Sequence, residues 1–248
     1  MVGRAMTGER ATHIDRFYDQ IAAVEAKQGG KTKLANLNNR SQLPHRGVYF
    51  FFEPGEHRAE QPASQRVTRI GTHGLVAGSK STLTGRLKTH RGSLSGGGSH
   101  RSSIFRLLVG QAILAKAKQE SHSWGVKGSV GQAATHLDMT VEQIKTNEAP
   151  IELQATDYLG QTTFVVLEIN DLPGRDSLRG HVEKNSIALL SNWEKAAIDP
   201  ASEGWMGRNS NRDRVIKSGL WNQNHVDESY DPNFLYTMQC LIDGAVAQ

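Results

Sequence analysis

Only one cysteine, Cys240, occurs in the 248 residues, which excludes an intrachain disulfide and a cysteine-based zinc site. A reducing, cytoplasmic setting is the expectation. No apolar run is long enough to span a membrane, and no charged-apolar-small leader opens the chain, so no membrane partner is expected. No internal repeat appears. The most informative absence is acidic. From Gln61 to Gln119 there is no Asp or Glu, yet that stretch holds 10 of the 29 Lys and Arg residues. A solvated surface mixes its signs, so a one-signed block points to a polyanionic partner. Net charge is +4, and the length can bury a sizeable core.

The chain is organised around residues 47–90. Gly47–Phe52 is a continuous aromatic-rich apolar run, as expected of a strand buried on both faces. Val67–Gly71 is β-branched and stops at a glycine, where the backbone can turn or approach a neighbour closely. Glu53-Pro54-Gly55-Glu56 reads as a turn, which would pair the two strands antiparallel. From Ser81 the pattern turns helical: Leu83 and Leu87 share one side, Arg86 and His90 lie one turn apart on another. A guanidinium and an imidazole beside two strand ends can hold a phosphate and move a proton. The intervening Gly78-Ser79-Lys80-Ser81 imitates a P-loop, but Ser79 separates glycine from lysine and the register fails. Ser79 or Ser81 is the expected helix cap.

Elsewhere, residues 1–12 carry no pattern and read as unstructured. His13–Lys27 is an amphipathic packing helix, and Lys31–His45 a polar connector. The Ser-Gly tract 95–99 lies among basic residues and suits either a loop closing over phosphates or a solvated linker. Ile104–Ala115 is a helix capped by Ser102 or Ser103. Gln119–Leu159 gives no clean period beyond a short helix at Thr135–Ile144. Thr163–Ile169 is a third buried strand. In the helix from Gly180 to Trp193, Glu183 shares a stripe with Ile187 and Leu190; an inward carboxylate costs desolvation unless paired, which marks a candidate site. Asp231-Pro232 opens a last helix.

Gly47-Val48-Tyr49, then Arg69-Ile70-Gly71, then Arg-x-x-x-His at Arg86 and His90, in strand-strand-helix order, resemble the motifs of the GIY-YIG nucleases. Arg69 stands where that family has the tyrosine of its second element. The resemblance implies an α+β fold with a small three-stranded antiparallel sheet flanked by helices. The chain then divides into an N-terminal helix and connector (1–44), a nuclease domain (45–195) and a C-terminal extension packing on it (196–248). The family's third strand follows sooner, so residues from about 92 to 160 form a helical insertion. The family cuts phosphodiesters with one divalent cation, Mg²⁺ or Mn²⁺, and carries its metal-binding Glu after the third strand. Glu183 fits that role, with Glu194 as alternative, and Asn192 or Asn222 is the candidate for the family's asparagine.

The expected site is therefore Tyr49, Arg69, His73, Arg86, His90 and Glu183, with Glu183 holding the metal. His73, just past Gly71, is expected to reach back toward Tyr49 and Arg86 and partly replace the missing tyrosine. Tyr49 or His90 would orient or deprotonate the attacking water, and an unperturbed imidazole suits base duty near neutral pH better than a phenol does. Lys80, Lys88, Arg91, His100, Arg101 and Arg106 are the expected nucleic-acid contacts, with DNA as partner and RNA not excluded. The implied activity is that of a DNA endonuclease in restriction, phage defence or repair. The alternative is a non-catalytic nucleic-acid-binding module whose site Arg69 has inactivated.

Overall fold

The structure, a computed structural model, describes residues 2–38 and 40–244. Its centre is strand β2 (Gly47–His57), flanked antiparallel by β3 (Gln65–Gly71) and β4 (Thr163–Glu168). The short β1 (Thr32–Lys33) pairs with β4, so the order is β1-β4-β2-β3, four strands instead of three. The extra strand comes from the polar connector, whose two paired residues are too few to show a period.

Alternation along β2 separates two cores. Val48, Phe50 and Phe52 face one side with Val165 and Leu167, under α1 (Val2–Gln28), α6 (Leu178–Leu190) and α8 (Phe234–Asp243). Tyr49 and Phe51 face the other with Phe164 and Val166, covered by α2 (Leu83–Arg91), α3 (Ile104–Lys116), α5 (Val141–Gln161) and Trp221. The first half of β2, Gly47–Phe52, is roofed on both faces, which is why that run is apolar without a break. Burying each of the three phenylalanines contributes about 1.5–3 kcal/mol.

Several local expectations change. Helix α1 begins at Val2, through the segment read as unstructured; Met1 lies outside the described residues. Arg10 explains the ordering: its guanidinium donates to the carbonyls of Leu189, Ser191 and Ala196, closing the C-terminal end of α6. Residues 53–56 are not the hairpin turn. Strand β2 continues through them with irregular register, and the chain reverses near Gln61–Ser64. Glu53 is held inside by the Trp221 indole (2.5 Å) and the Tyr158 hydroxyl, partners far away in sequence. Burial pushes its carboxyl above the usual range.

Residues 130–161 form α4 (Val130–His136) and the long α5, each opened by a capping box, at Ser129/Gln132 and Thr140/Gln143. Pro150 lies inside α5 and hid its continuity from a sequence reading. Helix α2 is capped by Thr82, not by Ser79 or Ser81, and α8 opens at Asn233. After α7 (Asp213–Ser218) the chain seals the free edge of β3: the Trp221 amide donates to Thr68 O, and the Asn222 side chain bonds both backbone groups of Ile70.

Candidate active site

The site grows from the register of β2 and β3, which sets Tyr49 opposite Gly71. The Tyr49 ring lies across that glycine, and a β-carbon there would come within 2.3 Å of the phenolic oxygen. Only glycine permits this approach. Thr82 caps α2 by accepting the Gly85 amide, and the helix then presents Arg86 and His90 one turn apart. His90 is fully buried, with Nε2 2.9 Å from Tyr49 Oη and Nδ1 2.8 Å from Ser103 Oγ. Burial, then the charges of Arg69, Arg86 and Arg106, holds its pKa well below the ordinary imidazole value. His90 is therefore neutral at physiological pH.

Arg69 comes up from β3 between Tyr49, Arg86 and Glu183. Its Nη1 donates to Trp221 O (2.8 Å), its guanidinium lies 4.7 Å from the Phe105 ring centre, and its Nε has no hydrogen-bond partner among the described residues. Burial lowers its pKa, as does the like charge of Arg86. Arg86 is half-buried and donates to Ser102 O at 3.2 Å. Glu183, on α6, accepts the Thr72 amide at Oε1 (3.1 Å). Burial raises its pKa, opposed by that amide and by Arg69, His225 and Arg86. Five expected residues, Tyr49, Arg69, Arg86, His90 and Glu183, thus converge at one end of the β2–β3 pair.

His73 does not join them. Its ring is buried beside Arg179, His45 and Arg46, and Arg179 Nη1 donates to its carbonyl. Burial and the Arg179 charge pull its pKa down to about 4. Residue 73 lies in the irregular segment after Gly71, where its ring faces Arg179 of α6. Glu194, the alternative carboxylate, is exposed in a left-handed turn past the end of α6. Asn192 receives the Ile198 amide in a loop, and the Asn222 side chain is spent on Ile70.

The expected nucleic-acid contacts divide sharply. Lys80 is exposed and Lys88 half-buried. The other four turn inward. Arg106 is completely enclosed, bonded to Glu152, Thr156 and the carbonyls of His90 and Arg91. Arg101 pairs with Glu148. His100 bonds Glu152 and stacks on Trp124 with ring centres 4.0 Å apart. Arg91 donates to Leu37 O and Gly92 O. The Ser-Gly tract wraps Arg106: a β-carbon at Gly98 would lie 2.4 Å from the guanidinium carbon, and Thr156 ties down Gly97 O. It is a packed sleeve, neither a phosphate clamp nor a linker. The acids that neutralise this block come from α5, outside the acid-free window.

Sequence reasoning missed two neighbours of the site. Ser103 is visible in the sequence only as a cap, and His225 only as a tail residue; nothing in their spacing reports that one bonds His90 or that the charge of the other reaches Glu183. No curated protein and no solved structure matches the chain significantly. The profile of the GIY-YIG domain matches residues 8–248, nearly the whole chain, and with the Tyr49–Gly71–Arg86–His90–Glu183 constellation in place the protein belongs to the GIY-YIG family.

Proposed function

We propose that this nuclease-type protein is a Mg²⁺- or Mn²⁺-dependent DNA endonuclease that hydrolyses phosphodiesters by direct attack of water. The observation that carries the reading is the convergence of a carboxylate, two arginines and a tyrosine–histidine pair beside Gly71. Glu183 suits a hard divalent cation. Its Oε1 takes the Thr72 amide, while its Oε2 makes no hydrogen bond among the described residues. No group of three or more metal-binding side chains gathers among the described residues. That fits Mg²⁺, which keeps its waters and uses few carboxylates plus substrate phosphate, and does not fit zinc. Bound there, the metal would stabilise charge on the scissile phosphate and the leaving oxygen.

The chain's own groups supply the rest. Arg86, only half-buried, is the arginine a phosphate oxygen can reach, and Arg69 adds positive potential behind it. These cations disfavour a lone metal ion, so metal and phosphate should bind together. Tyr49, which borders Arg69, is the better candidate to orient or deprotonate the water. His90, its pKa held low by burial and by three arginine charges, is too weakly basic to accept its proton.

Arg69 in the family's tyrosine position, tied to Trp221 O, favours a second reading, a nucleic-acid binder that no longer cuts. Supercoiled plasmid incubated with purified protein separates the two, with an RNA substrate in parallel. Nicking in Mg²⁺ that EDTA abolishes supports the nuclease. Binding to DNA without cleavage in Mg²⁺ or Mn²⁺ would replace it with the second reading, and cleavage of RNA alone would change the substrate.

A further inference from the structure

The insertion between α2 and β4 holds a unit that the active site does not use. Helix α4 ends at His136, residues 137–140 follow, and α5 begins at Val141. That turn is tightly specified. Asp138 stands in the left-handed region (φ 51°), which aspartate tolerates better than most residues. The Met139 amide reaches back to Ala134 O at 2.9 Å, closing α4, and the Thr140/Gln143 box opens α5 at once. Helix α4 packs on α5 with Ala133, Ala134 and Ile144 buried, and α3 packs on α5 as a third helix. A short helix, a short turn and a longer helix, backed by a third, is the build of a helix-turn-helix. In that motif the N-terminal residues of the second helix meet base edges in the major groove.

The two halves of α5 differ as that role requires. In the second half Ile151, Glu152, Ala155 and Leu159 are buried, the last two in the core that holds Tyr49 and Phe51. Between Val141 and Pro150 only Ile144 and Glu148 are buried, and Glu148 is turned inward to Arg101. Val141, Glu142, Lys145, Thr146 and Asn147 stand exposed. Amine, hydroxyl and carboxamide groups hydrogen-bond base edges, and an apolar side chain suits a thymine methyl. We propose that α4 and α5 form a helix-turn-helix that reads base sequence in the major groove of duplex DNA, with Lys145, Thr146 and Asn147 determining the specificity. Lys145 lies 4.0 Å from Glu142, so the face is nearly neutral and supplies discrimination more than affinity. Arg106 bonds Glu152 of α5 and the carbonyls of His90 and Arg91 of α2, which braces the reading helix to the helix that carries Arg86 and His90. About 15 Å of helix separates residues 142 and 152, so any cut should fall at a fixed offset within about one turn of duplex from the motif. Duplex DNA as the partner, and that offset, rest on the nuclease reading above.

The test selects binding sites for the full chain from a library of random duplex DNA in Ca²⁺, so that cleavage is not needed for the readout. The wild type should enrich a motif of about four to six base pairs. The double variant Thr146→Ala with Asn147→Ala should bind that motif about 10-fold or more weakly, and should bind unrelated duplex within about twofold of the wild type. Both side chains are exposed, so the unfolding midpoint should hold; if it falls, Lys145→Ala alone gives the same comparison. A wild type that binds duplex DNA but enriches no motif, or variants that keep the wild-type motif, overturn the proposal and leave α4 and α5 as a packing hairpin. A wild type that binds no duplex DNA overturns it too, while cleavage of RNA by that protein would keep a nuclease-type activity. A motif that depends on these side chains in a protein that cuts nothing upholds the helix-turn-helix and removes only the nuclease reading.

Discussion

Two pairs of arginines from one acid-free stretch have opposite fates. Arg69 and Arg86 end beside Glu183, and that carboxylate spends one oxygen on the Thr72 amide; the charge there is left incompletely balanced. Arg101 and Arg106 end against Glu148 and Glu152, balanced and withdrawn from water. The difference is set by which helix lies opposite. Helix α5 brings a carboxylate to each arginine of the second pair, while the first pair faces a single glutamate from α6. Positive charge counted along a chain therefore says little about positive charge offered to a ligand.

The largest expected effect lies on the unbalanced side. Glu183→Gln keeps the shape but removes the charge a metal needs, so cleavage in Mg²⁺ should drop at least about 10³-fold, while DNA binding in Ca²⁺ persists or tightens slightly. Arg86→Ala should lose cleavage as well, and weaken binding too. Near-normal cutting by Glu183→Gln would show that the metal ligand lies elsewhere. On the balanced side the loss should be one of stability. Arg106→Ala leaves Glu152 buried and unpaired and should cost about 3–5 kcal/mol in denaturant unfolding. An unfolding midpoint unchanged from wild type would mean that the sleeve around Arg106 is dispensable.

A smaller effect tests His73, which belongs to neither pair. Its folded-state pKa of about 4 lies below the ordinary 6.5, so the unfolded chain binds its proton more readily. The contribution is fully present above about pH 6.5 and is lost as pH falls toward 4, by at most about 3 kcal/mol. His73→Leu should flatten that part of the stability–pH curve and leave cleavage intact. A large loss of cleavage would instead return His73 to the active site.

The smallest effect concerns DNA affinity. Lys80→Ala should reduce the salt slope of binding by about one phosphate contact, whereas Arg101→Gln should leave it unchanged. A lower slope for Arg101→Gln would mean that its pairing with Glu148 opens when DNA binds.

Much of the geometry of the candidate site is legible in the sequence because its signals are local. The apolar run at Gly47–Phe52, the stop at Gly71, the four-residue spacing of Arg86 and His90 and the phase of Glu183 on its helix are each properties of a short segment. The errors arose where a partner comes from far along the chain. Glu53 reads as a turn residue until Trp221 and Tyr158 hold it in place. Residues 2–12 read as unstructured until Arg10 meets the end of α6. His73 is expected near Tyr49 because it lies two residues past Gly71, the partner of Tyr49, but the irregular segment after β3 brings its ring to Arg179.

The sequence by itself determined the strand–strand–helix order, the glycine that admits the Tyr49 ring, and the residue types of the site, because periodicity and backbone freedom are written into consecutive residues. Only the tertiary structure decided which basic residues stay available and which oxygen meets His90 Nδ1. Charge pairing and hydrogen-bond direction depend on distances between segments, and Coulomb energy falls with spatial separation regardless of separation along the chain.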